Sequence, residues 1–526
     1  MSFSKGLNAS GATQTRLRLS GGECPFSGMC VTCLDGCVGL CEVGKSAVRS
    51  KEVIYPQPFG RITAAAEKDY PVDYSHFNIM GTAVGALGIE ADSNKAIFPA
   101  VNLETAIGAG ADQIKLKVPF TIGAMGSTNV ALNNWVELAA GCALSGVPLF
   151  IGENVVGMDP HSEFKNGRVV RSPGLDFRVK AFRDWYDGYA TVVVQANVED
   201  TMLGTQEYAI EKLGVDFVEL KWGQGAKDIG GEVKLNTIER ARQLKSRGYI
   251  VLPDPDDPTV AAAYQAGAFS EFERHSRVGM VTEEGFHARV EELRKLGAKY
   301  VSLKTGAYRA ADLARAIKFA SDARIDLLTI DGAGGGTGMS PWRMMNEWGI
   351  PTVYIQALAV QMLDKLAAKG RFIPTVSIAG GFALEDQVYK GLALGAPHFK
   401  LVTMSRAPLT AAMVGKNIGE MIKSGKVPNE YKKYGESVEQ VFVLAEELKK
   451  RLGSRFGDLP VGAIGVYSYF ERLAQGLKQF MCGARKFSLE YITRDDLVAL
   501  TREAAEITGI PYVMDSDREE VERILG

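Results

Sequence analysis

From about residue 118 onward, short apolar runs alternate with amphipathic stretches. The runs are "VPFTIGAMG", "VPLFIGEN", "ATVVVQAN", "DFVELKWGQG", "KYVSLKTG", "DLLTIDGAGGG", "PTVSIAGG" and "HFKLVTMS". Each is rich in β-branched residues and ends in a polar or Gly-rich loop. Helical patterns such as "VKLNTIERARQLKSRG" and "MVTEEGFHARVEELRKLG" lie between them. Buried parallel strands alternating with helices make βα units. Eight of them predict an α/β fold, a (β/α)8 TIM barrel with its chemistry at the C-terminal strand ends. An extra strand-like run, "YIVLPDP", precedes an Asp- and Pro-rich loop and is read as part of an insertion. From about Lys426 the pattern is mostly helical, as in "SVEQVFVLAEELKKRLG". The expected organisation is a cysteine-rich segment over 1–60, the barrel with its lead-in over 61–425 and a helical extension over 426–526.

Composition narrows the class. The 526 residues are 46% hydrophobic and 23% charged, ordinary for a globular chain with a large core. A net charge of -2 leaves no basic footprint for nucleic acid. No run of 18 apolar residues predicts a membrane span, and the N-terminus lacks the apolar core of a signal peptide. The expected location is cytoplasmic. No G-x-G-x-x-G stands at a strand–helix junction with an acid ~20 positions on, so no nicotinamide-binding half is visible.

Five of the seven cysteines, Cys24, Cys30, Cys33, Cys37 and Cys41, crowd into one stretch spaced C-x5-C-x2-C-x3-C-x3-C. In a reducing cytosol such clustering points to metal and not to disulfides. Four thiolates hold an iron–sulfur cubane of 4Fe–4S type. They also suit tetrahedral zinc, and buried structural thiols are the third reading. Gly28, Gly36 and Gly39 let the backbone wrap tightly. Five candidates serve four positions, and the spacing does not say which is spare. Cys142 and Cys482 stand alone and are read as small buried apolar residues.

Several strand-end loops carry candidate chemistry. In "DGAGGGTGMSP", from Asp331, the residues Gly334, Gly335, Gly336 and Thr337 allow close approach of backbone to a flat or phosphorylated ligand. In "SIAGGF" the amides of Gly380 and Gly381 precede a helix and suit a phosphate. In "LVTMSRA" the last strand sets Ser405 and Arg406 beside that position. Phosphate sites after strands seven and eight are habitual in this barrel, often for FMN. Lys304 ends another strand, where it would either stabilise negative charge on a reduced isoalloxazine or pair with an acid. In "ELKWGQGAK", Lys221, Gln224 and Lys227 suit a dicarboxylate. Exposure to solvent accounts for Lys227 equally well.

Together these stretches resemble the FMN-binding domain of the glutamate synthase family, over roughly residues 115–500. "ELKWGQGAK", "DGAGGGTGMSP" and "SIAGGF" are similar to its lysine strand end with a Gln-Gly-Ala-Lys loop, its Gly-Gly-Thr-Gly loop and its phosphate loop. "TIGAMGS" is similar to the family's first-strand loop against the flavin, which here is Ala124, Met125, Gly126 and Ser127. "VVVQAN" and "SLK" follow in matching order, and so imply Gln195 and Lys304 as flavin contacts. "SYFERLAQGLKQFMCGARKFSLEYI" is similar to the helical segment after the barrel. The resemblance implies FMN at the barrel mouth and reductive amination of 2-oxoglutarate, through 2-iminoglutarate, to glutamate. It implies Glu153, Lys221, Gln224 and Lys227 as the oxo-acid set, and an iron–sulfur cluster that passes electrons to FMN.

There are departures from the family pattern. The family's three cysteines after the last strand are missing from "TMSRAPLTAAMVGKNIGEM", where the N-terminal cluster is expected to replace them. The family's Gly-Glu-Gly-Gly loop reads "IGENVVG", and its Pro- and His-rich loop reads "LPDPDDPTVAAAYQAG", with Asp256 and Asp257 added. Met1-Ser2 starts no amidotransferase domain, so a separate amidotransferase subunit is expected beside an electron-donor protein or reductase subunit. The alternatives are a related flavoenzyme acting on another amino acid or an N-substituted glutamate, and an electron-transfer subunit of a larger complex.

Overall fold

The computed structural model describes residues 42–50, 70–225, 232–335 and 348–526. The five clustered cysteines, Lys227, Gly336 and Thr337 lie outside the described residues. Eight strands close a barrel: β1 (Phe120–Met125), β2 (Leu149–Ile151), β3 (Val192–Ala196), β4 (Phe217–Lys221), β5 (Tyr300–Thr305), β6 (Leu327–Asp331), β7 (Thr375–Ala379) and β8 (Phe399–Met404). They follow one another around the barrel in chain order, all parallel, with β4 against β5 and β8 against β1. Each lies within one of the eight apolar runs, so the expected (β/α)8 architecture is borne out. The runs are continuously apolar because one face of each strand packs on helices while the other fills the barrel.

One interior layer is polar, where branched apolar side chains are usual. Register sets Gln195, Glu219 and Ser302 side by side on β3, β4 and β5. Across the barrel Thr403 Oγ1 lies 2.6 Å from Thr121 Oγ1 and 2.7 Å from Ser377 Oγ. All six are buried. This floor lies below the mouth, because Lys221 and Lys304 follow two residues later on the same strands.

The antiparallel pair Thr105–Ile107 and Ile114–Leu116 covers the N-terminal end of the barrel. Lys115 accepts from the Ala190 amide and Gly108 donates to Thr375, both at strand starts. The insertion lies between β4 and β5. Its strand Phe272–His275 pairs antiparallel with Glu232–Leu235 on one side and Ile250–Leu252 on the other. This corrects the expectation of a helix from residue 233. "EVKL" has a period of two and forms a strand, and the helix runs only over Ile238–Ser246, capped by Thr237. The insertion has a core of its own, including Leu235, Ile238, Leu244, Val251 and Phe272.

Four helices pack beside the first and last strands: α1 (Glu42–Arg49), α2 (Trp135–Ser145), α3 (Arg406–Lys423) and α4 (Val461–Gly483). Small residues let them approach closely. A Cβ on Gly141 would stand 2.4 Å from Val466, and one on Gly465 2.6 Å from the Ala411 carbonyl. Helix α1 follows Cys41 directly and lies on α3 and α4, with Val43, Ala47 and Val48 fully buried. Two buried valines contribute about 3 kcal/mol to holding it there. Cys142 is buried as expected, whereas Cys482 is partly exposed. No helix among the described residues is long and apolar enough to cross a membrane.

Candidate functional site

The C-terminal strand ends form the mouth, and close backbone packing builds it. After β1, Gly126 lies against β2's loop, where a Cβ would stand 2.6 Å from the Glu153 carbonyl. Gly152 meets Met125 in the same way, at 2.5 Å. The Ala124–Ser127 loop is held from behind by Arg178, which donates to the Gly126 carbonyl at 3.0 Å and stacks on Trp135. Burial pushes the Arg178 guanidinium down to about 10, against the nearby Asp159. Neither Arg178 nor its role carries a sequence signal, because a helix arginine that turns inward looks like any surface arginine.

Glu153 is aimed by its neighbour. Asn154 has a left-handed backbone (φ 65), and its amide donates to Asp200 Oδ2 at 2.9 Å. Tyr249 donates its hydroxyl to Asn154 Oδ1 at 3.1 Å, and Arg274 reaches the same oxygen at 3.4 Å. Both come from the insertion, which thereby braces the mouth. Burial pushes the Asp200 carboxyl up to about 7, despite amides from Asn154 and Asn197.

Two ion pairs occupy the mouth. Lys221 Nζ donates to Glu153 Oε1 at 2.6 Å and to Gln224 Oε1 at 2.9 Å. Burial raises the Glu153 carboxyl, but Lys221, the local amide and Lys304 together bring it down to about 2. Lys304 lies beside Lys221 in register and pairs with Asp331 Oδ2 at 3.0 Å. Burial lowers the Lys304 ammonium, but Asp331, Glu219 and Glu153 outweigh it and hold it above its ordinary value. Of the two expectations for Lys304, pairing with an acid is met within the chain. The structure thus brings Glu153, Lys221, Gln224, Lys304 and Asp331 together.

Below them lies Glu219, which sequence reading passed over because it precedes the lysine motif inside an apolar run. It is 2% exposed. Gln195 Nε2 donates to its Oε1 at 2.6 Å and Ser302 Oγ to its Oε2 at 3.0 Å. Burial pushes it up to about 7, against Lys304, the two hydrogen bonds and Lys221.

The remaining loops meet at the β6–β8 side. Gly334, Gly380 and Gly381 all have backbones in the left-handed region that favours glycine (φ 114, 134 and 103). A Cβ on Gly335 would stand 2.7 Å from Asp331 Oδ1, and one on Gly380 2.2 Å from Thr352 Oγ1. Ser405 sits over Gly123, where a Cβ would be 2.3 Å from its hydroxyl. Arg406 begins α3, and its Nη1 is buried with no hydrogen-bond partner among the described residues. Burial pushes its guanidinium down to about 10, with Asp331 partly offsetting. A buried donor of this kind fits an anion.

Comparison with known proteins bears on this arrangement. Residues 274–415 match the family model described as "Conserved region in glutamate synthase". That region spans β5 to β8 and the start of α3, and the resemblance read from the motifs is borne out. Lys304, Asp331, Gly380, Gly381, Ser405 and Arg406 fall inside it, while Glu153, Lys221 and Gln224 precede it. Among curated proteins, an archaeal-type glutamate synthase [NADPH] of Thermotoga neapolitana is 25% identical over 291 residues, which is 54% of this chain and 47% of that protein. A glutamate synthase large subunit-like protein of Rhizobium meliloti is 29% identical over 312 residues, 56% of this chain and 62% of that protein. The chain's match thus spans roughly half to three fifths of these relatives' lengths. Among solved structures, a flavocytochrome b2 with pyruvate bound overlaps 84% of this chain and 80% of its own, with a TM-score of 0.46 and 17% identity. Mandelate oxidase with (S)-4-hydroxymandelic acid overlaps 80% and 87%, with a TM-score of 0.43 and 14% identity.

Proposed function

We propose that the protein is an FMN-dependent oxidoreductase of glutamate synthase type, with FMN at the barrel mouth and a 2-oxo or 2-imino dicarboxylic acid as substrate. The observation that carries this reading is the buried, partnerless Arg406 Nη1, just after β8, which pairs with β7, the strand that leads into Gly380 and Gly381. A phosphate there would satisfy the guanidinium and lie at the N-terminus of α3, where the helix dipole favours an anion. Gly334 and Gly335 would admit the flat ring, with Ala124–Ser127 and Gln195 against it. When bound, FMN supplies two-electron redox chemistry.

The chain's own groups divide the remaining work. Lys304 is held charged by Asp331 and would stabilise negative charge beside the ring. Lys221 is a carboxylate anchor kept in place by Glu153 and Gln224. A substrate carboxylate takes the ammonium's one remaining donor, since Lys has three and two are used. Glu153, ionised at neutral pH, accepts from an amino or imino nitrogen and can take its proton. Lys227 is proposed as a second carboxylate anchor. The N-terminal cysteines are proposed to hold an iron–sulfur cluster. A partner would supply electrons, and a separate amidotransferase subunit would supply ammonia. The altered wall around Glu153 favours a second reading, in which the same machinery acts on another amino acid or an N-substituted glutamate.

Anaerobic purification followed by flavin, iron and sulfide analysis tests the cofactors. The expected result is one flavin per chain, running as FMN and not FAD, with iron and sulfide. A protein with zinc in place of iron reverses the cluster assignment, and one that binds no flavin overturns the reading. Turnover of 2-oxoglutarate with ammonia under an artificial reductant separates glutamate formation from the second reading.

A further inference from the structure

The polar floor of the barrel holds a group that the proposed chemistry does not use. Glu219 is buried beneath both lysines, yet each lysine already has a carboxylate partner of its own, Asp331 for Lys304 and Glu153 for Lys221. A buried acid without a dedicated cation is costly unless its position does something. Its contacts are specific. Gln195 Nε2 donates to one oxygen at 2.6 Å, and Ser302 Oγ donates to the other at 3.0 Å. An ionised carboxylate can only accept. The amide of Gln195 must therefore turn its amino end down to Glu219, which leaves its Oε1 as the other end. That oxygen is buried and has no partner among the described residues. A buried acceptor left open in this way calls for a donor from a bound molecule.

We propose that Glu219 is a positioning residue that holds the Gln195 amide with its carbonyl toward the ligand, so that the pocket selects a ring presenting an N–H at that point. This rests on the FMN reading above, and it adds to it a determinant of ring specificity placed one layer below the ligand. Oxidised isoalloxazine has a single ring N–H, at N3, between two carbonyls. An acceptor facing that edge discriminates the N–H from its neighbours. The selection depends on the charge of Glu219. A neutral carboxyl can accept from Nε2 or donate to Oε1, so either amide orientation becomes allowed and selectivity falls. The groups that face Glu219 are Lys304 and Ser302 on β5, Gln195 on β3 and Lys221 on its own strand, with Asp331 and Glu153 on the far sides of the two lysines. Burial pushes Glu219 up to about 7, so the change of charge falls in an accessible range.

The test compares FMN with N3-methyl-FMN, by flavin fluorescence titration of the full chain stripped of flavin, between about pH 5.5 and pH 9. At high pH the wild type should prefer FMN by about tenfold or more, the effect of one buried hydrogen bond lost. The preference should fall towards unity on acidification. Glu219→Gln, neutral throughout, should show a preference that does not change with pH. Ser302→Ala removes a donor to the carboxylate, which raises its pKa, and should move the midpoint of the wild-type curve to higher pH. This second variant keeps the test open if Glu219→Gln does not fold. A Glu219→Gln protein that keeps the wild-type pH dependence, or a Ser302→Ala midpoint that does not move upward, overturns the proposal. A wild-type chain that binds neither flavin at any pH fails the FMN reading instead, and a wild type that binds both equally at all pH values overturns only the role of Glu219.

Discussion

Replacing Arg406 by Met should weaken FMN binding without weakening the fold. The guanidinium is buried, its Nη1 has no partner among the described residues, and the nearby Asp331 only partly offsets the burial. In the flavin-free protein an unsatisfied buried donor costs about 1–3 kcal/mol. Methionine has a similar reach and no charge, so Arg406→Met should leave the unfolding free energy of the apoprotein unchanged or raise it by about 1 kcal/mol. With phosphate bound, the same atom gains a charge-assisted hydrogen bond of about 1.5–3 kcal/mol. Its loss should weaken FMN binding about 10–100-fold, since each 1.4 kcal/mol is tenfold. Riboflavin lacks the phosphate and should bind wild type and variant alike. Urea unfolding of the apoprotein gives the first quantity, and quenching of flavin fluorescence gives the second. The reasoning is refuted if Arg406→Met binds FMN as tightly as wild type, or if riboflavin binding falls in step with FMN.

Four further outcomes follow from the same geometry. Lys221→Met removes the ammonium that holds Glu153 at about 2, so the Michaelis constant for a 2-oxo acid should rise about 10–100-fold while FMN stays bound; loss of flavin from this variant would contradict the division of the mouth. The depressed Glu153 carboxyl contributes stability that is present above about pH 4.5 and lost as pH falls through about 2, and denaturant unfolding of Lys221→Met should lack that acid limb. Asp200 and Glu219 have the opposite sign. Both are pushed up to about 7, from 3.8 for Asp200 and 4.5 for Glu219, so stability is full below those values and is lost as pH rises from there to about 7, by up to roughly 4 kcal/mol for Asp200 and roughly 3 kcal/mol for Glu219. Asp200→Asn should flatten part of that slope in a series of melting temperatures, and an unchanged slope argues against the buried-acid account. Gly465→Val should force α4 from α3 and α1, where a Cβ already meets Ala411 and Ala47, and cost about 1–3 kcal/mol; limited proteolysis should then cut near α1 sooner, and wild-type resistance there would show that α1 is not held by this contact.

The barrel was legible because each strand is a short, branched, apolar run closed by a glycine or polar residue, and no other period competes. The Gly380–Gly381 loop was legible for a related reason: both residues require backbone angles that others resist. The inserted sheet was only half legible. "YIVLPDP" reads as a strand, but Phe272–His275, the central strand, is half charged and has no apolar alternation to give it away. Its Arg274 is buried by the sheet it sits in and by Tyr249, a contact that sequence spacing does not show.

The sequence by itself determined the order of eight strands, their loops and the residue types at the mouth, because local periodicity and glycine requirements act over a few residues at a time. The partnerships were decided only in three dimensions. Lys221 pairs with Glu153, 68 positions away, and Gln195 with Glu219, 24 positions away. Closing the barrel sets strand ends beside one another in a register that no single stretch encodes. Burial then decides the charge states: it raises Glu219 and Asp200, while the ion pair with Lys221 lowers Glu153. A carboxylate in a sequence is only a carboxylate; how far it lies from water and from the nearest ammonium is a property of the fold.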